Sequence, residues 1–308
     1  MPAKIVILGS LNIDIVTAVQ HLPAPGESVM AGKLMMLRGG KGANQTLAAR
    51  RHEAQVSLVG CIGTDEEGMA YLRFLEGVGV DVSGLEKVPN ERTGTALIVV
   101  DVAGENQIVV AAGANGCVTP DLVCDHAETI RRADVLLVQM ETTLPALIKA
   151  IQIANEAGVP VVLNPSPLRD GFPWGTVNIA TLIVNETEAS ELFGVPGANL
   201  ASRVEVLRER LPSLGTGQVV ITRGGGTTIC VNGEDAFEVA TLAVKPVDTV
   251  GAGDTFAGVL AVRLAEGEPL DHAVLIANCA GALATLQPGA QASIPTRAEV
   301  EAASVNLE

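Results

Sequence analysis

Six short apolar runs constrain the architecture more than any other feature of the chain. "KIVILG" (4–9), "VSLVGC" (56–61), "VLLVQ" (135–139), "VPVVLN" (159–164), "TLIVN" (181–185) and "QVVIT" (218–222) are built mainly from Val, Ile and Leu. A strand with one wet face alternates polar and apolar residues, so runs like these mark strands buried on both faces. Between them, residues 42–51, 69–79, 144–158 and 201–211 carry apolar positions at helical spacing. This alternation predicts an α/β fold in which right-handed crossovers cover a mostly parallel sheet with helices on both faces. A further strand-like run ends near Val247, and two long helical runs, 253–266 and 269–286, close the pattern. With 48% apolar residues but only 2% aromatics, the core must be packed by aliphatic side chains.

Two stretches break the rhythm. Residues 15–20 with 28–36, and 95–101 with 106–112, read as strands joined by turns with no helix between. They form either a small sheet standing off the main one or ordinary hairpins at its edge, where exposed backbone needs covering. The sequence has no internal repeat and no linker. One domain over 1–308 is expected, with an excursion at about 15–37 and 94–112.

The bulk chemistry excludes several functions. A net charge of −15 argues against nucleic acid, whose phosphates call for basic surface. It also means that a phosphate ligand must be met locally, by backbone N–H groups, a few cations and metal. Five cysteines without CxxC spacing and four histidines without ligand spacing speak against zinc, and reduced thiols in a cytoplasmic protein are expected. The apolar N-terminal run is too short for a signal peptide, and no run approaches a membrane span, so no membrane partner is expected.

Polar and glycine-rich signals gather where strands end, which in open α/β sheets is where ligands bind. In "DTVGAGDTFAG" (248–258), Gly251, Ala252 and Gly253 lead into Asp254 and a helical run. A helix start free of bulky side chains suits an anion. A carboxylate behind it suits proton abstraction from a hydroxyl attacking a phosphoryl group. An N-cap aspartate after a tight turn accounts for the same residues. In "LRGGKGANQTLA" (37–48), glycines again precede a helix, with Lys41 and Asn44 as hydrogen-bonding groups; a glycine-rich turn is the plain alternative. "GSLNIDIV" (9–16) places Asn12 and Asp14 two apart, on one side of an extended segment, where they suit a polyol or simply a turn. Glu141 follows a strand, as does "NETE", whose Asn185 and Glu188 share one face of a helical turn. That pair suits a hydrated Mg²⁺, or equally a helix start with acids in its first turn. "VVITRGGGTT" (219–228) ends a strand in another glycine cradle.

Taken together, these motifs resemble the PfkB-type carbohydrate kinases, also called the ribokinase family. "GGKGANQ" (39–45) and "DTVGAGDTFAG" are similar to the family's two signatures. "SLNID" (10–14), "VGCIGTDEEG" (59–68), "NPSP" (164–167), "NETE" (185–188) and "TRGG" (222–225) fall between them in the family's order. The resemblance covers essentially the whole chain. It implies a Rossmann-type central sheet with a small β-sheet lid formed by the two helix-free stretches, a lid that doubles as a homodimer interface. It implies ATP-dependent phosphorylation of a sugar, and "SLNxD" with "GGKGANQ" points within the family to D-ribose and its 5-hydroxyl. By the same likeness Asn12, Ile13, Asp14, Gly40, Lys41, Gly42, Ala43, Asn44 and Glu141 bind the sugar. Asp254 is the general base, and Gly251, Ala252 and Gly253 form an anion hole. ATP falls to Asn185, Thr222, Arg223, Gly224, Gly225, Gly226, Thr227, Gly253 and Asn278, with Mg²⁺ held through water by Glu188. A K⁺ activator is implied at Asp248, Val250, Ala284, Gln287, Gly289 and Ser293, where Val250 and Gln287 depart from the expected residues. Kinases of deoxyribose, a nucleoside or a fructose-like sugar are the nearest alternatives. A sugar or nucleotide sensor without catalysis is the alternative outside enzymes, and it would lack the base or the anion hole.

Overall fold

The computed structural model describes residues 2–305. Its strands, in chain order, are β1 (Lys4–Leu8), β2 (Asn12–Ala18), β3 (Met35–Gly39), β4 (Gln55–Gly63), β5 (Asp81–Val88), β6 (Gly94–Val100), β7 (Asn106–Ala111), β8 (Val135–Gln139), β9 (Val161–Asn164), β10 (Ile179–Asn185), β11 (Thr216–Thr222), β12 (Thr228–Asn232) and β13 (Ala236–Val239). The helices are α1 (Lys41–Arg51), α2 (Glu66–Gly77), α3 (Pro120–Asp125), α4 (Ala127–Arg131), α5 (Leu144–Ala157), α6 (Glu186–Phe193), α7 (Val204–Leu214), α8 (Ala252–Ala265), α9 (Leu270–Ala284) and α10 (Arg297–Ser304).

Nine strands form the main sheet in the order β13-β12-β11-β10-β9-β8-β1-β4-β5, parallel except for the antiparallel pairs β11–β12 and β12–β13. The six apolar runs are its central members β1, β4, β8, β9, β10 and β11, and the reason for their composition is visible in the packing. Ile5 and Ile7 of β1 face a core built with Leu47, Phe256, Leu260 and Ala277, from α1, α8 and α9. Val6 and Leu8 face the opposite core, built with Leu147, Ile151, Phe193 and Leu207, from α5, α6 and α7. Both sides of each strand are dry, so neither side can carry polar residues.

The two helix-free stretches form a separate four-stranded sheet, β3-β2-β6-β7. This sheet carries apolar side chains in the open: Met35, Met36, Leu97, Ile108, Val109 and Val110 are all exposed. Two details differ from the sequence reading. The strand expected over 28–36 lies instead at Met35–Gly39, and residues 28–34 take no regular structure. No strand leads to Val247 either. The segment carries Pro246, and the amides of Val247 and Asp248 donate to the Thr285 carbonyl (2.7 and 3.1 Å) instead of joining a ladder.

Asp65 ties the two sheets together. Its carboxylate caps α2 by accepting from the Gly68 amide at 2.7 Å, and accepts from the Thr93 amide at 2.5 Å and the Thr93 hydroxyl at 3.1 Å, at the root of β6. Burial pushes this carboxyl up, but the bonds from Thr93 and Gly68 outweigh it and hold the group below its ordinary value of 3.8. Among the described residues no helix is long and apolar enough to cross a membrane.

A depressed carboxyl contributes stability above its unfolded-state value and loses it as pH falls through the folded one. Asp65→Ala is therefore expected to lower unfolding stability by about 1–2 kcal/mol at pH 7, the range of a lost helix cap. The deficit should be the same at pH 5 and shrink only below the ordinary carboxyl value of 3.8. Urea unfolding of both proteins across pH checks it; a deficit that grows on acidification would contradict this account.

Candidate active site

In the main sheet β1 lies between β4 and β8, so the chain builds outward in both directions from it and leaves a crevice beyond the carboxyl ends. Every polar motif singled out in the sequence opens near that end. Asn12 and Asp14 lie on β2, directly after β1; Glu141 follows β8; Asn185 ends β10; and Thr222 ends β11. The helices α1 and α8 start there as well. They begin differently from α2, α3, α5, α6 and α10, each of which has a side-chain cap. Their N-caps are Gly40 and Gly251, at φ +90° and +80°, and no side chain caps either.

These glycines are required by contact as well as by φ. A Cβ on Gly40 would lie 2.7 Å from the Asn12 amide nitrogen, and one on Gly251 would lie 2.8 Å from Ala290 Cα. Gly253 differs: its backbone is helical and a Cβ there would meet nothing within 4 Å. Neither backbone strain nor packing within the protein asks for glycine at this position. Open space in front of an uncapped helix N-terminus is what an anionic ligand needs.

Asp254 stands in the first turn of α8 but does not cap it, which removes the N-cap explanation. The side chain is buried and points at α1 instead. Its Oδ2 accepts from Asn44 Nδ2 at 2.9 Å, its Oδ1 from Gln45 Nε2 at 3.2 Å, and Lys41 Nζ lies 4.0 Å from Oδ1. The ammonium is correspondingly raised above its ordinary value, chiefly by Asp254, with burial opposing and Glu141 and Glu188 adding to the rise.

The start of α1 is satisfied from across the crevice. Glu141 Oε2 accepts from the Ser10 hydroxyl at 2.5 Å and from the Lys41 amide at 3.1 Å. The Gly42 and Ala43 amides turn to Ser10 Oγ and the Ser10 carbonyl at 3.4 and 3.0 Å. On β2, Ile13 is buried, while Asn12 Oδ1 accepts from Asn115 Nδ2 at 2.8 Å, which leaves the Asn12 amide N–H₂ for another partner. The Asp14 carboxylate backs onto Gly39, where a Cβ would meet it at 2.1 Å. Burial first, then the charges of Glu141 and Asp254, push Asp14 up to about 6. A cavity of about 710 Å³ adjoins this cluster, lined among others by Asn12, Asn115, Glu141, Thr142 and Arg169.

The remaining expected residues divide. Asn185 and Glu188 form a capping box on α6: Glu188 N donates to Asn185 Oδ1 at 2.9 Å, and Asn185 N to Glu188 Oε2 at 3.0 Å. The helix-start reading of "NETE" is thus realised, with Asn185 exposed and Glu188 half-buried. Thr222 leads into the β11–β12 turn, where Gly224, Gly225 and Gly226 are exposed. Arg223 folds back onto that turn, donating to the Thr227 carbonyl at 2.7 Å and pairing with Glu238 at 2.5 Å. Asn278 is buried and its amide is engaged on both sides, accepting from Thr228 Oγ1 at 2.7 Å and donating to the Ala240 carbonyl at 2.9 Å. It braces the wall behind the crevice and does not present a free polar group. Asp248 joins two loops, accepting from the Val250 amide at 3.0 Å and the Gly289 amide at 2.8 Å, while Ser293 Oγ donates to the Gly289 carbonyl at 2.6 Å. Ala284 ends α9 beside them, and Gln287 and Val250 are exposed.

Several residues at the site carry no role in the sequence reading: Ser10, Gln45, Tyr71, Asn115, Gln139, Asn164 and Gln291. Gln45, Gln139 and Asn164 all lie within motifs quoted there, and a glutamine or asparagine ending an apolar strand is the signal that could have found the last two.

The chain belongs to the pfkB family carbohydrate kinases, whose family model matches residues 2–297. It is 36% identical over 299 residues to the ribokinase of Bacillus subtilis, spanning 97% of this chain and 98% of that one. Among solved structures, ribokinase from Giardia lamblia superposes with a TM-score of 0.91 at 28% identity over 100% of both chains. Arabidopsis thaliana ribokinase complexed with ribose and ATP superposes with a TM-score of 0.89 at 31% identity, covering 99% of each.

Asp14 supplies a test of this electrostatic picture. A carboxyl raised on folding costs stability once ionised, so its penalty is absent near pH 4 and complete above about 6. Asp14→Asn is expected to raise unfolding stability by about 2 kcal/mol at pH 7.5. The gain should fade as pH falls toward 4. Thermal unfolding of both proteins from pH 4 to 8 measures it, and a variant less stable than wild type at pH 7.5 would refute the assignment.

Proposed function

We propose that the protein transfers the γ-phosphoryl group of ATP to the 5-hydroxyl of D-ribose, giving D-ribose 5-phosphate and ADP. The observation that carries this reading is the pairing of the buried Asp254 carboxylate with the open, uncapped helix start at Gly253. Full-length relatives named ribokinase, and a homologous structure holding ribose and ATP, support the substrate pair.

Asp254 accepts the proton of the 5-hydroxyl as its oxygen attacks the γ-phosphorus. The bond from that phosphorus to the β–γ bridging oxygen breaks, and ADP leaves. The amides at the start of α8, from Gly251 to Gly253, meet the charge on the transferring group, the term that dominates phosphoryl transfer. Lys41, 4.0 Å from the base, lies where it can also meet that charge. Asn12, Asp14, Gly40, Lys41, Asn44 and Glu141 hold the sugar hydroxyls. With Asn115 occupying its carbonyl side, Asn12 offers a donor to a hydroxyl. A sugar lacking that hydroxyl leaves a buried donor unpaired, which favours ribose over deoxyribose. ATP lies along Asn185 and the 222–227 turn. A divalent metal accompanies the nucleotide; we assign it as Mg²⁺, reached through water by Glu188, whose charge already acts on Lys41 in the same crevice. When bound, it neutralises charge on the ATP phosphates. The clasped loops at Asp248, Val250 and Ala284–Ser293 are the assigned place for K⁺, where Val250 contributes only backbone. We further assign a cytoplasmic homodimer, in which a second copy covers the apolar lid residues, Val109 among them.

A coupled ADP-release assay should find D-ribose preferred over 2-deoxyribose, fructose and nucleosides by kcat/KM. Higher efficiency on any of these would replace the substrate. Asp254→Asn should lower kcat by roughly 10²–10⁴-fold, the usual worth of a general base. A loss under about tenfold (about 1.4 kcal/mol of barrier) would sink the mechanism. ATP affinity should collapse in excess EDTA, since so acidic a chain (net charge −15) has few cations to offer phosphate. For the lid, light scattering should give a dimer that Val109→Glu splits; a monomeric wild type would remove that assignment.

A further inference from the structure

Asp254 is held by two amide groups, and each is itself held by others in a way that fixes which end faces the carboxylate. An amide that bonds a carboxylate must turn its N–H₂ toward it, because a carbonyl there would repel the charge. On the Oδ2 side, the donor is Asn44 Nδ2, and Asn44 Oδ1 accepts from Gln291 Nε2 at 3.0 Å. Gln291 Nε2 also donates to the Tyr71 hydroxyl. Tyr71 has a single proton, which it donates to the Gly39 carbonyl at 2.8 Å, so toward Gln291 it can only accept. On the Oδ1 side, Gln45 Nε2 donates both to Asp254 and, at 3.3 Å, to Asn164 Oδ1. Asn164 Nδ2 donates to the Ile183 carbonyl at 3.0 Å, and Gln139 Nε2 donates to Gln45 Oε1 at 2.5 Å. Each arm thus runs back to a backbone carbonyl, Gly39 or Ile183, which can only accept. The donor sense of every link between that carbonyl and Asp254 follows.

All of these side chains are buried, Gln45, Tyr71 and Gln139 fully, Asn44, Asn164 and Gln291 nearly so, and Gly39 and Ile183, which supply the two carbonyls, are buried as well. Gln139 Oε1 and Gln291 Oε1 accept from no protein donor, so the bonding of both glutamines is concentrated in their N–H₂ groups.

We propose that Gln139 and Gln291 are positioning residues: Gln291 imposes the amide sense of Asn44, and Gln139 reinforces that of Gln45, which Asn164 already sets, so that both amides donate to Asp254 and aim its carboxylate. This rests on Asp254 being the base in phosphoryl transfer. Neither glutamine bonds to Asp254 itself; each acts through the amide it orients.

The test reverses the sense of a link without removing it. Gln291→Glu places an acceptor-only group opposite Asn44, which must then turn its N–H₂ away from Asp254. Once protonated, the introduced carboxyl can donate again, as the glutamine did. Burial and the charges of Asp14 and Asp254, which also act on Tyr71, raise its proton affinity, with Tyr71 and Asn44 as direct partners; Arg38, over the Tyr71 ring, and Lys41, beside Asp254, are the cations that oppose the rise. Gln291→Met deletes the link while keeping the volume. Kinetics are measured on whichever sugar the wild type turns over, so that failure of the ribose reading would show in the wild type alone. At pH 8 the glutamate variant is expected to lose at least about tenfold in kcat, a change of barrier and not of binding, with KM for ATP moving less than about threefold. The methionine variant should lose less. The ratio of variant to wild-type kcat should climb as pH falls from 8 to 6 for Gln291→Glu and stay flat for Gln291→Met. Should Gln291→Glu fail to fold, Gln139→Glu makes the same comparison on the other arm. A flat ratio for the glutamate variant, or equal losses for both substitutions at every pH, would overturn the proposal.

Discussion

The site depends on how closely two helices can approach. At the crossing of α1 and α8, a Cβ on Gly258 would lie 2.6 Å from the Gln45 carbonyl and 2.7 Å from Ala48 Cβ, so only glycine permits the contact. That approach sets Asp254, one turn earlier on α8, within hydrogen-bond reach of Asn44 and Gln45 on α1. A second glycine contact seats the start of α1 against the first strand: a Cβ on Gly42 would meet the Ser10 amide nitrogen at 2.4 Å. Interiors pack too tightly to absorb such intrusions. Both helix starts are thereby fixed to the carboxyl edge of the sheet.

Much of the fold was legible because burial on two faces leaves one kind of sequence. The six apolar runs correspond to six central strands, and the flanking helices begin within a few residues of their expected positions. Three strands of the main sheet escaped notice: β12, "TICVN", is buried but short and mixes Thr and Asn with its apolar residues, and the other two lie at the sheet's edges. β5, "DVSGLEKV", is an edge strand with half its residues exposed, and β13 pairs on one side only. The helix-free stretches were readable as strands, but their pairing of β2 with β6 spans some eighty residues and leaves no local trace. The strand expected toward Val247 failed because its amides found the Thr285 carbonyl, a partner invisible from the segment itself.

At the site, the sequence was informative where chemistry is written into backbone shape. Glycines before a helix and a carboxylate behind them stand out locally. The supporting amides do not. Gln45 meets Asn164 across 119 residues and Asn44 meets Gln291 across 247, so composition could say only that these are polar residues. "NETE" teaches a related lesson: the capping box of Asn185 and Glu188 satisfies the helix start whether or not a metal ever reaches Glu188.

The charge balance of the crevice explains why it is built of glycines. Lys41 lies under the influence of Asp254, Glu141 and Glu188, so its charge is already opposed by three carboxylates. Arg223, the cation nearest the glycine turn in sequence, is paired with Glu238. Lys41 can still face the transferring phosphoryl group, but neither residue brings the full charge of an isolated cation to a polyphosphate. Most of the positive potential left to such a ligand is that of backbone N–H groups at an uncapped helix start, together with whatever metal the nucleotide brings. Amides become accessible only where side chains are absent, and a Cβ at Gly253, Gly224 or Gly225 would touch nothing in the protein. An acidic chain can therefore bind a more acidic substrate without a basic surface, provided that its backbone is left bare at the points of contact.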